Sequence, residues 1–198
     1  MTKRTLGFIL ATISLAACGD DDSTSSYRGV QDLRQVSYQL KNLEAKAKIE
    51  FPKGTQNLQN KVDFKPGESK DSIQRLIEDG NYVLRVNGQK VNLPILSNGK
   101  VERSETLEKN MSGCKLTGMS DIRGAMADVE FKLEWNLVAK IEGNNCDNSA
   151  RETFVNFLNT EVNNLNLSTV RDLLVSADQN LSEAKAIEIQ VKVKGEGV

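Results

Sequence analysis

The chain has 198 residues, with 26 lysine and arginine side chains against 27 aspartate and glutamate, and no histidine at all. Without histidine, serine-histidine triads, cysteine-histidine dyads and the two-histidine helical zinc motif are excluded, and the commonest transition-metal ligand is missing. A charge balance this close to zero shows no strong asymmetry that points to nucleic acid, so no nucleic-acid partner is expected.

Lys3 and Arg4 open the chain, and Leu6 to Ala17 follow as a run that is apolar apart from Gly7, Thr12 and Ser14. That is the order of parts in a secretory leader. At about 1.5 Å per residue the run reaches roughly 18 Å, well short of a hydrocarbon core of about 30 Å, so it is a poor spanning helix. It ends in Leu15-Ala16-Ala17-Cys18. These four residues resemble the lipobox of bacterial lipoproteins, in which small residues precede a cysteine that is acylated before the leader is cut away.

The resemblance covers residues 1–18 only. It implies that residues 1–17 are a signal peptide, and that Cys18 receives a diacylglyceryl group and acyl chains such as palmitate. It also implies that the membrane is reached through this N-terminal lipid, since two or three chains hold stably where one would be reversible. The residue after Cys18 is Gly19, not aspartate, which by the rule of enteric bacteria points to the outer membrane; the function expected below takes the domain as facing the periplasm.

Residues 18–27 hold the cysteine and the polar run Gly-Asp-Asp-Asp-Ser-Thr-Ser-Ser, which reads as a flexible tether because it has nothing to bury. Residues 28–198 then form a single domain. Without its first seventeen residues the chain keeps 181, with 24 basic and 27 acidic side chains, enough for one real core.

Val36, Tyr38 and Leu40 alternate in one phase, and Leu43, Ala45, Ala47, Ile49 and Phe51 in the other. One strand with a bulge near Lys41 and Asn42 reconciles them. Asp71 to Glu78 reads as a short helix with Ile73, Leu76 and Ile77 inward, ending at Gly80. A meander follows, turning at Asn87-Gly88 and again at Asn98-Gly99, the residue pair that two-residue hairpins favour. Pro94 between the turns implies an edge strand or a bulge.

From Val129 to Ile141 apolar residues hold every odd position, which predicts a very long one-sided strand. Ser149-Ala150-Arg151-Glu152 fits a capping box ahead of a helix with Phe154, Phe157, Leu158, Val162 and Leu165 on one face. Ser168 is placed to cap a second helix. Ile187, Ile189, Val191 and Val193 repeat the strand pattern near the C-terminus. The fold class expected is α+β: a curved antiparallel sheet of about seven long amphipathic strands, a half-barrel or open layer, covered by a C-terminal helical pair.

With Cys18 assigned to lipid, Cys114 and Cys146 remain as an even pair in an exported chain and are expected to form a disulfide. A tight hairpin turning near Asp121 or Gly124 would carry Cys114 away from Cys146, so Met119 to Ala127 is expected to run as an irregular or extended return along the core and not as a clean hairpin arm. No cofactor, metal site or catalytic residue is read from the chain. The function expected is non-enzymatic binding or scaffolding of an unidentified envelope protein. The alternative is a carrier or receptor for a hydrophobic ligand, lipid or lipoprotein, with Phe131, Leu133 and Trp135 lining a cavity in the curved sheet.

Overall fold

The computed structural model describes residues 34–111, 113–143, 146–177 and 181–198. The expected leader, the expected acylation site Cys18 and the expected tether lie outside the described residues.

Among the described residues, nine strands form one antiparallel sheet. They are β1 (Val36–Phe51), β2 (Gly54–Asp63), β3 (Ile73–Glu78), β4 (Asn81–Val86), β5 (Gln89–Val91), β6 (Lys100–Met111), β7 (Cys114–Met126), β8 (Glu130–Glu142) and β9 (Ala186–Gly197). The order across the sheet is β5-β4-β3-β1-β9-β8-β7-β6, and β2 pairs with β1 off this path. Because β9 occupies one side of β1 almost throughout, β3 takes the other side at Val36 to Tyr38 and β2 takes it at Asn42 to Phe51. The change of partner falls at the expected bulge, between Leu40 and Asn42.

The sheet curls until its two ends approach each other. β5 and β6 are the end strands, and Ile95, in the link between them, bridges Val101 at the start of β6. Two helices, α1 (Asn148–Leu165) and α2 (Ser168–Val175), cover the apolar side. α1 lies over β7 and β8, and α2 over β1 and β2. The result is an α+β half-barrel with a filled interior. Leu43, Ile49, Phe131, Trp135, Leu137 and Phe154 are all buried there, each worth about 1.5–3 kcal/mol.

The Asn87-Gly88 turn takes the expected form, with both residues at positive φ, 53° and 76°, as a primed hairpin turn requires. At the second turn only Gly99 does so. β5 is short and lies at a sheet end, before Pro94.

Several expectations are corrected. Asp71 to Glu78 is not a helix: Ile73 to Glu78 pairs with β4 and is buried at Ile73 and Arg75, while Ile77 is exposed. β2 was not anticipated. The α1 cap is Asp147, not Ser149; its carboxylate accepts from the Ala150 N–H at 2.8 Å. Val129 sits in the turn between β7 and β8 and is 75% exposed, so the one-sided pattern begins at Phe131.

The expected conflict between disulfide and hairpin does not arise. β7 and β8 form a regular hairpin from Met126↔Phe131 to Lys115↔Glu142, with the turn at residues 127–129, so Met119 to Met126 is extended but is a clean hairpin arm after all. Since the turn lies later than Gly124, the start of β7 meets the end of β8. Cys114 therefore stands beside the segment that carries Cys146, and the two are bonded with Cα atoms 5.4 Å apart, inside the limit of about 7 Å.

Candidate functional site

Phe131, Leu133 and Trp135 point into the half-barrel and are 1–3% exposed. The space around them is occupied. An apolar void that touches this set is lined by Leu133, Ile73, Leu84, Val193 and Leu167 and measures about 10 Å³. That is room for about one water, whereas ligand cavities usually run to several hundred Å³.

Three polar clusters fasten this interior, and the sequence pattern reveals none of them. The first lies under α1. Trp135 donates its indole N–H to Ser120 Oγ at 2.9 Å. Glu161, buried on α1, receives both ends of the Arg103 guanidinium at 2.7 and 3.0 Å, plus Asn164 at 3.3 Å. Burial by itself would raise the Glu161 pKa, but hydrogen bonds from Arg103 and Ser120 more than offset it and hold the carboxyl below the ordinary range. A forked, charge-assisted pair of this kind fixes orientation as well as charge.

The second cluster replaces the expected Ser168 cap. Ser168 is instead the first residue of α2, and Asp71 from the loop before β3 accepts from its backbone N–H and its hydroxyl, both at 3.0 Å. Asn87 of the β4–β5 turn donates to the same Asp71 and to the Asn166 carbonyl. A strand-side carboxylate thus supplies the anionic cap of a helix ninety-seven residues away.

The third cluster holds the end of the half-barrel where β1 begins. Arg75 is fully buried and donates to the Arg34 carbonyl, the Met126 carbonyl and the Asp128 carboxylate. Its guanidinium lies 5.9 Å from the Tyr38 ring centre, and Tyr38 donates to the Ala127 carbonyl at 2.7 Å. Burial pushes the Tyr38 hydroxyl up to about 12, with Arg75 pulling down and Asp128 adding to the rise, so it remains a donor throughout the ordinary pH range.

No family model, curated protein or solved structure matches the chain.

The outer face is charged in an ordered way. The strand registers set Lys61, Glu44, Lys192, Glu134, Arg123 and Glu102 side by side across β2, β1, β9, β8, β7 and β6, alternating in sign at every step. Glu44 is held below its ordinary pKa, first by its hydrogen bond from Lys46 and also by Lys61 and Lys192. Beside this row an open groove of about 390 Å³ is lined by Lys46, Lys48, Asn57, Gln59, Glu188 and Gln190. Its polar lining offers hydrogen bonds and weak ion pairs, and Ala47 and Leu58 add an apolar part. Among the described residues no three His, Cys, Asp or Glu side chains are grouped to hold a metal ion, and no helix is long and apolar enough to cross a membrane.

Proposed function

We propose that this chain is a lipid-anchored bacterial envelope protein that binds or scaffolds another envelope component without catalysis. The Leu15-Ala16-Ala17-Cys18 sequence supports the anchor, with Cys18 as the acylated residue and the outer membrane as its site. The filled interior carries the choice between the two binding readings. With Phe131, Leu133 and Trp135 packed in the core and a void of about 10 Å³ beside Leu133, a carried lipid would need α1 to open. A polar, charge-alternating exterior suits recognition of another polar surface, where complementary charge selects the partner more than it tightens the complex.

The experiment uses cells grown with labelled palmitate and expressing the full chain. Label is expected on the native protein and absent from Cys18→Ser, and label on both would overturn the anchor. Organic extraction of the purified native protein, followed by mass spectrometry, is expected to release no stoichiometric lipid apart from the covalent one. A recovered equivalent of free lipid would replace the scaffold by the carrier.

A further inference from the structure

The geometry points to the open edge of β6 as a self-pairing surface, on which β6 of a second copy adds antiparallel with Leu107 opposite Leu107. This is independent of the lipid anchor. β6 ends the sheet, and its partner β7 uses only one side of it. Gly99, one step before the β6–β7 ladder, accepts from the Met126 N–H, so odd-numbered residues of β6 turn their peptide groups toward β7 and even-numbered ones face the edge. The first part of that edge is covered: Ile95 bridges Val101, and the Leu96 N–H donates to the Lys100 carbonyl at 2.8 Å. Ser104, Thr106, Glu108 and Asn110 remain with their N–H and C=O groups directed outward.

Such an edge is normally guarded by charge, and here the charges choose one partner register. In a two-fold antiparallel pair, residues facing each other must lie on the same side of the sheet, so only alternate registers exist. With Leu107 on Leu107, Glu105 faces Lys109 twice, Ser104 faces Asn110, Thr106 faces Glu108, and about eight backbone hydrogen bonds form. Moving the axis one residue toward the C-terminal end of β6 sets Glu108 on Glu108. Moving it one residue the other way sets Arg103 on Lys109, and one more sets Glu105 on Glu105. Like charges directly opposed disfavour pairing. Lys109 makes no ion pair among the described residues, and the side chains of Leu107 and Met111 are half-buried, so the added strand would give the cation a partner and cover the leucine.

The test is cysteine cross-linking in cells expressing the full chain. At a position opposite itself outside the ladder hydrogen bonds, the Cβ atoms approach to about 4.5–5.5 Å, near disulfide range. Mild oxidation of Leu107→Cys is expected to give a covalent dimer on a non-reducing gel, and Asn57→Cys on β2, whose only strand partner among the described residues is β1, is not. On the Leu107→Cys background, Glu105→Lys or Lys109→Glu alone is expected to cut the dimer about tenfold, and the two together to restore it. Absence of the Leu107→Cys dimer, a dimer of equal yield at Asn57→Cys, or indifference to the charge changes would each overturn the pairing.

Discussion

Arg75 on β3 donates a hydrogen bond to the carbonyl oxygen of Met126 at the end of β7, although β1, β9 and β8 lie between them in the sheet. The contact exists only because the sheet curls, and the guanidinium is spent on holding that curl. Arg75→Met is expected to destabilise the protein by about 3 kcal/mol or more, since it leaves the Met126 and Arg34 carbonyls without their donor. Arg75→Lys should recover only part of this, because one ammonium cannot replace a planar fork. Urea unfolding of the three proteins measures both effects.

The interior of β8 begins at Phe131. Lysine at Phe131 or Trp135 is expected to cost several kcal/mol through an unpaired buried charge, and Val129→Lys to stay within about 0.5 kcal/mol because that side chain already faces solvent. Equal thermal shifts at Val129 and Phe131 would contradict the register.

Glu161 predicts a specific acid response. Its folded pKa lies below the ordinary carboxylate value of 4.5, so its stabilising contribution is complete above that value and drains away as pH falls through the lower folded pKa. The difference in unfolding free energy between the native protein and Glu161→Gln should therefore be largest near neutral pH and shrink below about pH 4. A difference that stayed constant through the acid limb would show that the charge on Glu161 is not what matters. Using the difference is necessary because Glu44, Glu50, Glu78 and Glu102 are also held low and contribute to the acid limb of both proteins.

Replacing Cys114 and Cys146 together by serine removes a constraint across a sequence separation of 32 residues. Loop-closure entropy puts the loss at roughly 3–4 kcal/mol. Because the bond joins the start of β7 to the segment leading into α1, hydrogen exchange should rise first at Ala150 to Phe154. Uniform change across the sheet would place the effect in global stability alone.

How much of this was legible in the sequence follows from where charge sits. β8 and β9 were plain because their inner positions are all apolar and their outer ones nearly all polar, and the β1 bulge followed from a change of phase. β3 was misread because its central inward residue is Arg75. With a charge inside and Ile77 outside, the remaining apolar residues Ile73, Leu76 and Ile77 fall at helical spacing. β2 carried no visible pattern, since its best-covered positions are filled by Gln56, Leu58, Asn60 and Val62 and are only half-buried. The buried clusters around Glu161 and Asp71 depend on partners fifty-eight and ninety-seven residues away, a separation no local pattern reports.

The pairing of β1 with β9 sets when this protein can fold. Twelve residue pairs join Tyr38–Glu50 to Ala186–Gly197, so the strand at the centre of the sheet stays without its main neighbour until nearly all of the chain has been made. At roughly 5–20 residues per second, the interval between completing β1 and completing β9 is on the order of ten seconds. During that time β1–β2 and β6–β7–β8 can pair locally, but the full sheet cannot close, because the strand that joins its two halves has not been made. A late-closing topology keeps the nascent chain threadable, which is the state the proposed export through a membrane requires.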